Sequence, residues 1–233
     1  MKKLEDYLYY EEKEPDLKIY CGDCLEIMPL LPKVDLVLTD PPYRNEEDNQ
    51  PTMDMRKNGG MKGFGGKLTP EQFIEIQKKS NRQIIWGANN FDFLPAHKGF
   101  LVWQKQIPQD FTMSMAEMAY VSESIMTISK VFKCASNSEF RHHPTQKPLE
   151  VIRWSIQQCK YWDIAQSILD PFLGSGTTLV ACKELNRNGI GIEINEKYCE
   201  IAKKRLKATC KPLFQEEVKK DKVKESDDLW KDA

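Results

Sequence analysis

The sequence predicts an α/β domain built on a largely parallel sheet, and three observations carry that reading. Its apolar runs are short and rich in β-branched residues, as in "VDLVLTD" (34–40) and "QSILD" (166–170). Most of these runs are followed by a segment of helical periodicity, the alternation that places helices on both faces of a parallel sheet. "DPFLGSG" (170–176) is a glycine turn leading from such a run into a helix. The 233 residues suit one sizeable domain, assigned here to 1–210, with a charged tail at 211–233.

Taken in order, "LKIYCG" (17–22) reads as a strand and "CLEIMPLL" (24–31) as a short helical turn containing Pro29. "VDLVLTD" is a strand buried on both faces. "TPEQFIEIQKKSN" (69–81) is a helix with Thr69 at the N-cap and Pro70 in first position. "QIIWG" (83–87), "GFLVWQK" (99–105) and "AEMAYVS" (116–122) are strands. "KPLEVIRWSIQQC" (147–159) is a helix with Pro148 early and an apolar side. "QSILD" is a strand, "GTTLVACKELNRNG" (176–189) a helix stopped by Gly189, "IGIEI" (190–194) a strand and "EKYCEIAKKRL" (196–206) a helix. Two segments break the alternation: 44–68, with glycines at 59, 60, 63, 65 and 66, and the polar 123–146. Connections of that length point to function or mobility.

Composition excludes several classes. The chain is 40% hydrophobic and 30% charged, ordinary for a globular protein, and no apolar run approaches the roughly 18 residues of a membrane span. Acids occupy "MKKLEDYLYYEEKEPD" where a secretory leader would be apolar, so a cytoplasmic protein is expected. Seven scattered cysteines suit free thiols rather than a disulfide framework. Cys21 and Cys24 have the spacing of a zinc knuckle or redox pair, but no second CxxC accompanies them, and no metal site is expected. The net charge of −1 announces no polyanion, yet basic residues cluster: Arg56, Lys57, Lys62 and Lys67 without an acid among them, then Lys130, Lys133, Arg141, His142, His143 and Lys147 against Glu139 alone.

Two motifs carry chemistry. In "TDPPYRN" (39–45), two prolines stiffen the turn after a strand and hold Asp40 and Tyr43 in fixed places. In "DPFLGSG", the bare Cα atoms of Gly174 and Gly176 let a ligand lie against the backbone at a helix N-terminus. Glu193 closes the next strand 23 residues beyond Asp170, near the ~20-residue spacing at which an acid meets a ribose. A nucleoside-like cofactor is therefore expected. NAD is disfavoured, because the third glycine of its pyrophosphate cradle is missing.

The set "TDPPY" (39–43), "HPTQKP" (143–148) and "DPFLGSGTT" (170–178), in that order, resembles the β-group of S-adenosylmethionine-dependent DNA amino-methyltransferases. "GDCLEIM" (22–28), "WGANNF" (86–91) and "GIEIN" (191–195) extend the likeness over residues 16–207, and the "WGANNF" form is similar to compact phage-type members. The resemblance implies a Rossmann-like class I methyltransferase fold with a seven-stranded, mostly parallel sheet. It also implies circular permutation. "LKIYCG" becomes the third strand, "VDLVLTD" the fourth, "QIIWG" the fifth, "GFLVWQK" the sixth, "AEMAYVS" the antiparallel last, "SILD" the first and "IGIEI" the second.

The resemblance further implies roles. Asp40 and the Pro41 carbonyl accept hydrogens from an exocyclic amine, Pro42 stiffens the loop, and Tyr43 stacks on a flipped base. The backbone of Phe172–Gly176 faces the methionine part of S-adenosylmethionine, and Glu193 its ribose. Asp23 lies at the adenine and amine end, Thr145 and Lys147 near the carboxylate; Cys24, Asp170, Gly174, Ser175, Gly176, Thr177 and Asn195 complete the cofactor set. Arg44, Arg56, Lys57, Lys62, Lys67, Lys130, Lys133 and Arg141 are candidate contacts to duplex DNA, on a mobile loop (44–68) and a recognition insert (123–142). A homodimer and a cognate restriction endonuclease are candidate partners.

Asp before Pro-Pro-Tyr goes mostly with adenine N6 in that family, and Ser with cytosine N4, so adenine is expected and cytosine is the alternative. An RNA or protein amide methyltransferase more often carries Asn at position 40 and the cofactor motif first. A non-catalytic DNA-binding relic is disfavoured by intact motifs.

Overall fold

Successive side chains of a strand point to opposite faces of a sheet, so a run that is apolar throughout must be covered on both. The computed structural model describes residues 2–43, 67–107, 114–135, 146–159 and 165–210, and its central strands follow this rule. Leu36 and Leu38 face one core and Val37 the other; Ile84 and Trp86 alternate with Ile85 in the same way, and Ile168 with Leu169.

The strands are β1 (Leu8–Lys13), β2 (Asp16–Cys21), β3 (Leu36–Thr39), β4 (Gln83–Trp86), β5 (Phe100–Lys105), β6 (Ala116–Val121), β7 (Lys130–Cys134), β8 (Ser167–Asp170) and β9 (Asn188–Glu193). The helices are α1 (Cys24–Ile27), α2 (Pro70–Lys79), α3 (Leu149–Gln157), α4 (Thr177–Glu184) and α5 (Glu196–Ala208). Thr69 caps α2 in a capping box with Gln72, as its sequence suggests.

The sheet order is β1-β2-β9-β8-β3-β4-β6-β5-β7. From β2 to β4 neighbouring strands are parallel, while β6 is antiparallel to both β4 and β5. The seven inner strands thus stand in the permuted methyltransferase order that the motifs implied. Among the described residues the sheet has nine strands, however, where seven were expected. β1 folds back antiparallel on β2, with Tyr9 and Tyr10 packed against the core; its "YYEEK" hides these rings among acids. β7 pairs parallel with β5 and is anchored by Phe132, stacked on Trp154 of α3 at 5.1 Å.

Gly189 was expected to end α4, but it lies within β9. The turn is made by Asn186, in the left-handed region at φ 53°. Gly189 serves packing instead, since a Cβ there would fall 2.5 Å from Leu179.

This topology brings the motifs to one edge of the sheet. β2, β9, β8, β3 and β4 run the same way, so Asp23, Glu193, the Phe172–Gly176 turn, Asp40 and Gly87 all follow or close strands on that side. β6 runs the other way, so its early residue Glu117 reaches the same edge, alongside Lys105 at the end of β5.

Candidate active site

β3 hands the chain to "DPPY" through Thr39, a buried hydroxyl that donates to Asp170 Oδ1 at 2.8 Å. The first residue of one motif is thereby fastened to the first of the other. Asp170 is itself buried, and it also accepts from Thr178 (2.5 Å) and from the Phe172 N–H (3.1 Å). Burial nonetheless raises its pKa to about 6, with these donors pulling the other way.

Asp40 follows Thr39. Its Oδ1 accepts from the Tyr43 hydroxyl and from Lys147 Nζ at 2.6 Å, whereas Oδ2 carries no hydrogen bond among the described residues. Burial pushes the Asp40 pKa up against the pull of the Lys147 charge. Tyr43 is held on three sides. Its hydroxyl accepts from Lys147 at 2.7 Å, its ring meets Phe91 edge-on at 6.2 Å, and it lies so close over Gly87 that a Cβ there would fall 2.0 Å from Cε1. Burial first, then Asp40 and Glu117, keep the phenol protonated and so a donor.

The resemblance put Lys147 near the cofactor's carboxylate; in the structure its ammonium sits on Asp40 and Tyr43 of the DPPY turn. Its ammonium, 5% exposed as a residue, donates to Asp40, to Tyr43 and, at 2.8 Å, to Glu117 Oε2. A lysine has three N–H donors, and all three are used. The rings of Tyr43 and Trp86 each lie 5.3 Å from Nζ. The preceding residue reaches the other motif, with Ser175 Oγ donating to Gln146 Oε1 at 3.0 Å. Adjacent residues of "TQKP" therefore touch the glycine turn and Asp40.

The turn itself is built for close approach. Gly174 has φ +55°, and a Cβ there would meet nothing within 4 Å, so its outer side is open. Gly176 and Gly191 serve packing, against Ala202 and Leu173. Glu193 accepts from the Gly174 N–H (2.8 Å) and the Asn195 N–H (2.9 Å), one bond per oxygen, which leaves each oxygen a further lone pair. Arg205 of α5 clamps the turn from behind, donating to the Ser175 carbonyl (2.7 Å) and to Thr177 Oγ1 (3.0 Å).

Asp23 caps α1 by accepting from the Leu25 N–H at 2.8 Å, and Asn195 caps α5 by accepting from the Lys197 N–H at 3.0 Å. Cys24 is buried, with Gln72 Nε2 3.5 Å from its sulfur, and burial drives its thiol up to about 12. Among the candidate DNA contacts, Lys130 and Lys133 are exposed on edge strand β7, and Lys130 donates to Gln158. Lys67 lies over the Phe91 ring at 5.7 Å, on the Tyr43 side of the site. Arg44, Arg56, Lys57, Lys62, Arg141 and Thr145 lie outside the described residues, as do most of 44–68, the end of 123–142 and the 211–233 tail.

Four residues escaped the sequence reading: Glu117, Lys105, Gln146 and Arg205. Lys105 Nζ lies 2.6 Å from Glu117 Oε1, extending the Asp40–Lys147–Glu117 chain of charges to β5. Strand charges give no local signal of such a role, although Gln146 stood inside a recognised motif.

The chain matches a family model described as DNA methylase over residues 76–204, more than half its length. Type II methyltransferase M.HpaI of Haemophilus parainfluenzae is 28% identical, with 82% of this chain and 74% of that protein covered. Type II methyltransferase M2.LlaDCHI of Lactococcus lactis subsp. cremoris is 51% identical, with 84% and 91% covered. The crystal structure of the M1.HpyAVI–SAM complex superposes with a TM-score of 0.55 at 26% identity, covering 82% of this chain and 98% of that one.

Proposed function

The chain belongs to the DNA methylase family of N6/N4 methyltransferases, and from that premise we propose that it methylates the N6 amine of adenine in duplex DNA, using S-adenosylmethionine. The observation that carries the reading is the state of Asp40: one oxygen pinned by Lys147 and Tyr43, the other without a hydrogen bond among the described residues, on a strand tied to the glycine turn.

The lone pair of an exocyclic amine is drawn into its ring. Asp40 Oδ2 accepts one amine hydrogen and the Pro41 carbonyl the other, which turns the nitrogen towards a tetrahedral shape and frees the pair. The carboxylate also faces the positive charge that develops on nitrogen, a preorganised electrostatic contribution. Burial, by raising the basicity of Asp40, makes it the stronger acceptor. Because Lys147 and Tyr43 hold Oδ1, the carboxylate meets the base in one orientation. A base within a duplex cannot enter such a buried pocket, so the target nucleotide is flipped out, and Tyr43 and Phe91 border the space it enters.

The residues of the turn fit a nucleoside-sulfonium donor. Gly174 leaves room against the backbone, and Glu193 retains lone pairs for two ribose hydroxyls. When bound, S-adenosylmethionine supplies the electrophilic methyl group. Asp23 and Asn195 cap their helices at the same sheet edge, where they would meet such a donor. Lys67, Lys130 and Lys133, together with the basic residues of 44–66 and Arg141, supply phosphate contacts. These contacts are few for a recognition module, which favours a second subunit, and the type II relatives suggest a cognate restriction endonuclease.

The same two acceptors serve cytosine N4; the Asp at position 40 is what favours adenine. Duplex DNA methylated in vitro and digested to nucleosides is expected to yield N6-methyladenine. N4-methylcytosine as the sole product would overturn the choice of base, and methylation of RNA but not DNA would overturn the substrate.

A further inference from the structure

Glu117 faces Lys147 from β6 and Lys105 from β5, with one carboxylate oxygen on each ammonium (2.8 and 2.6 Å). We propose that Glu117, backed by Lys105, is a positioning residue that neutralises Lys147 and holds it on one oxygen of Asp40, leaving the other oxygen and its charge for the target amine. The proposal rests on the methyl-transfer reading above.

Asp40 and Glu117 bring two negative charges to the cluster, Lys147 and Lys105 two positive ones, so the four are neutral together. The developing product is a cation on nitrogen. An ammonium 2.6 Å from the carboxylate that must stabilise that cation works against it, unless a second anion shares the ammonium. Glu117 is that anion. The cluster is also shielded from water, with Lys147 side-chain exposure at 4% and Asp40 and Glu117 at 22%, so screening is weak. Among the described residues, the other groups facing it are Tyr43 and the rings of Trp86 and Trp103, and Asp170 acts on Asp40 through space. Burial draws the Lys147 ammonium down, but Asp40 and Glu117 together lift it above the ordinary lysine value. Burial likewise opposes Glu117's charge, and Lys147 and Lys105 more than offset it.

The test is Glu117→Gln, which keeps shape and acceptor and removes the charge, alone and combined with Lys105→Met. Single-turnover methylation of a duplex oligonucleotide is expected to slow roughly 10–100-fold in Glu117→Gln. S-adenosylmethionine affinity by calorimetry stays unchanged, and the alkaline limb of the rate–pH profile moves to lower pH as Lys147 loses an anion. The double variant returns the cluster to neutrality and is expected to be faster than Glu117→Gln alone. A wild-type rate in Glu117→Gln, or a double variant slower than the single, overturns the proposal. Should the wild-type protein methylate no DNA, the functional reading fails by itself. The Lys147 ammonium, followed by NMR in 15N-lysine protein, would still titrate at lower pH in Glu117→Gln if the charge argument holds, and at an unchanged pH if it does not.

Discussion

Thr39 donates its hydroxyl to Asp170 across 2.8 Å, and this one bond joins the strand that delivers Asp40 to the strand that opens the glycine turn. Asp170 has three donors, and hydrogen bonds to a charged group are each worth about 1.5–3 kcal/mol. Thr39→Val is nearly isosteric and removes one of them. It is expected to lower stability by an amount in that range, read from the urea midpoint at pH 7.5. At pH 4.5, where Asp170 is protonated, the loss should shrink. An equal loss at both values would mean that the hydroxyl, not its link to the charge, is what matters.

Asp170 itself makes stability depend on pH. Its folded pKa of about 6 stands above the ordinary carboxylate value, because burial favours the protonated form. A group raised in this way contributes most stability below its unfolded pKa and loses it as pH rises through the folded one. Asp170→Asn does not titrate there. The gap in melting temperature between wild type and Asp170→Asn is therefore expected to shift against the wild type between about pH 4 and 6 and then level off. A gap that shifts the opposite way over this range would show that Thr39, Thr178 and the Phe172 N–H outweigh burial.

The contrast between what was legible in the sequence and what was not follows physical lines. The inner strands β3, β4 and β8 were legible because their runs are buried on both faces, the other four through short apolar stretches, and the motif order set their permutation. β1 and β7 were not, since each leans on the sheet with one or two rings set among charges: Tyr9 and Tyr10 in one, Phe132 in the other. Asp40 and the glycine turn stood out through their prolines and glycines, which leave a local mark. Glu117 and Lys105 leave none, because their meeting depends on β6 running antiparallel between β4 and β5. Lys147 was recognised in its motif, but its contacts with Asp40, Tyr43 and Glu117 were not. A cation seeks either a cofactor carboxylate or Asp40, and spacing along the chain does not separate the two.

Two glycines with positive φ should respond differently to alanine. At Gly87 (φ +77°) a Cβ would lie 2.0 Å from the Tyr43 ring, so Gly87→Ala must displace the ring as well as strain the backbone. Methylation is expected to fall by at least roughly tenfold, with stability lower by about 1–2 kcal/mol from the left-handed conformation. At Gly174 (φ +55°) a Cβ meets nothing within 4 Å, so the fold should tolerate Gly174→Ala at about the same backbone cost. Its new methyl projects where the cofactor would lie, and calorimetry should show weaker binding of S-adenosylhomocysteine. Unchanged binding would place the cofactor elsewhere on the turn.

Lys147 provides the sharpest discrimination. If it served the cofactor's carboxylate, Lys147→Met would weaken S-adenosylmethionine binding and spare the rate at saturation. The geometry predicts the reverse, since all three of its donors are spent on Asp40, Tyr43 and Glu117. Removing the ammonium leaves two carboxylates facing each other in a buried site. Asp40, already raised by burial and by Glu117, loses the cation that holds it down, so its pKa climbs further. The acidic limb of the rate–pH profile is therefore expected to move to higher pH, and the rate at neutral pH to fall by roughly 10²-fold, with binding of S-adenosylhomocysteine by calorimetry unaltered. At alkaline pH, where Asp40 ionises again, part of the lost rate should return. A variant that binds cofactor poorly but methylates at the normal maximal rate would restore Lys147 to the cofactor's side.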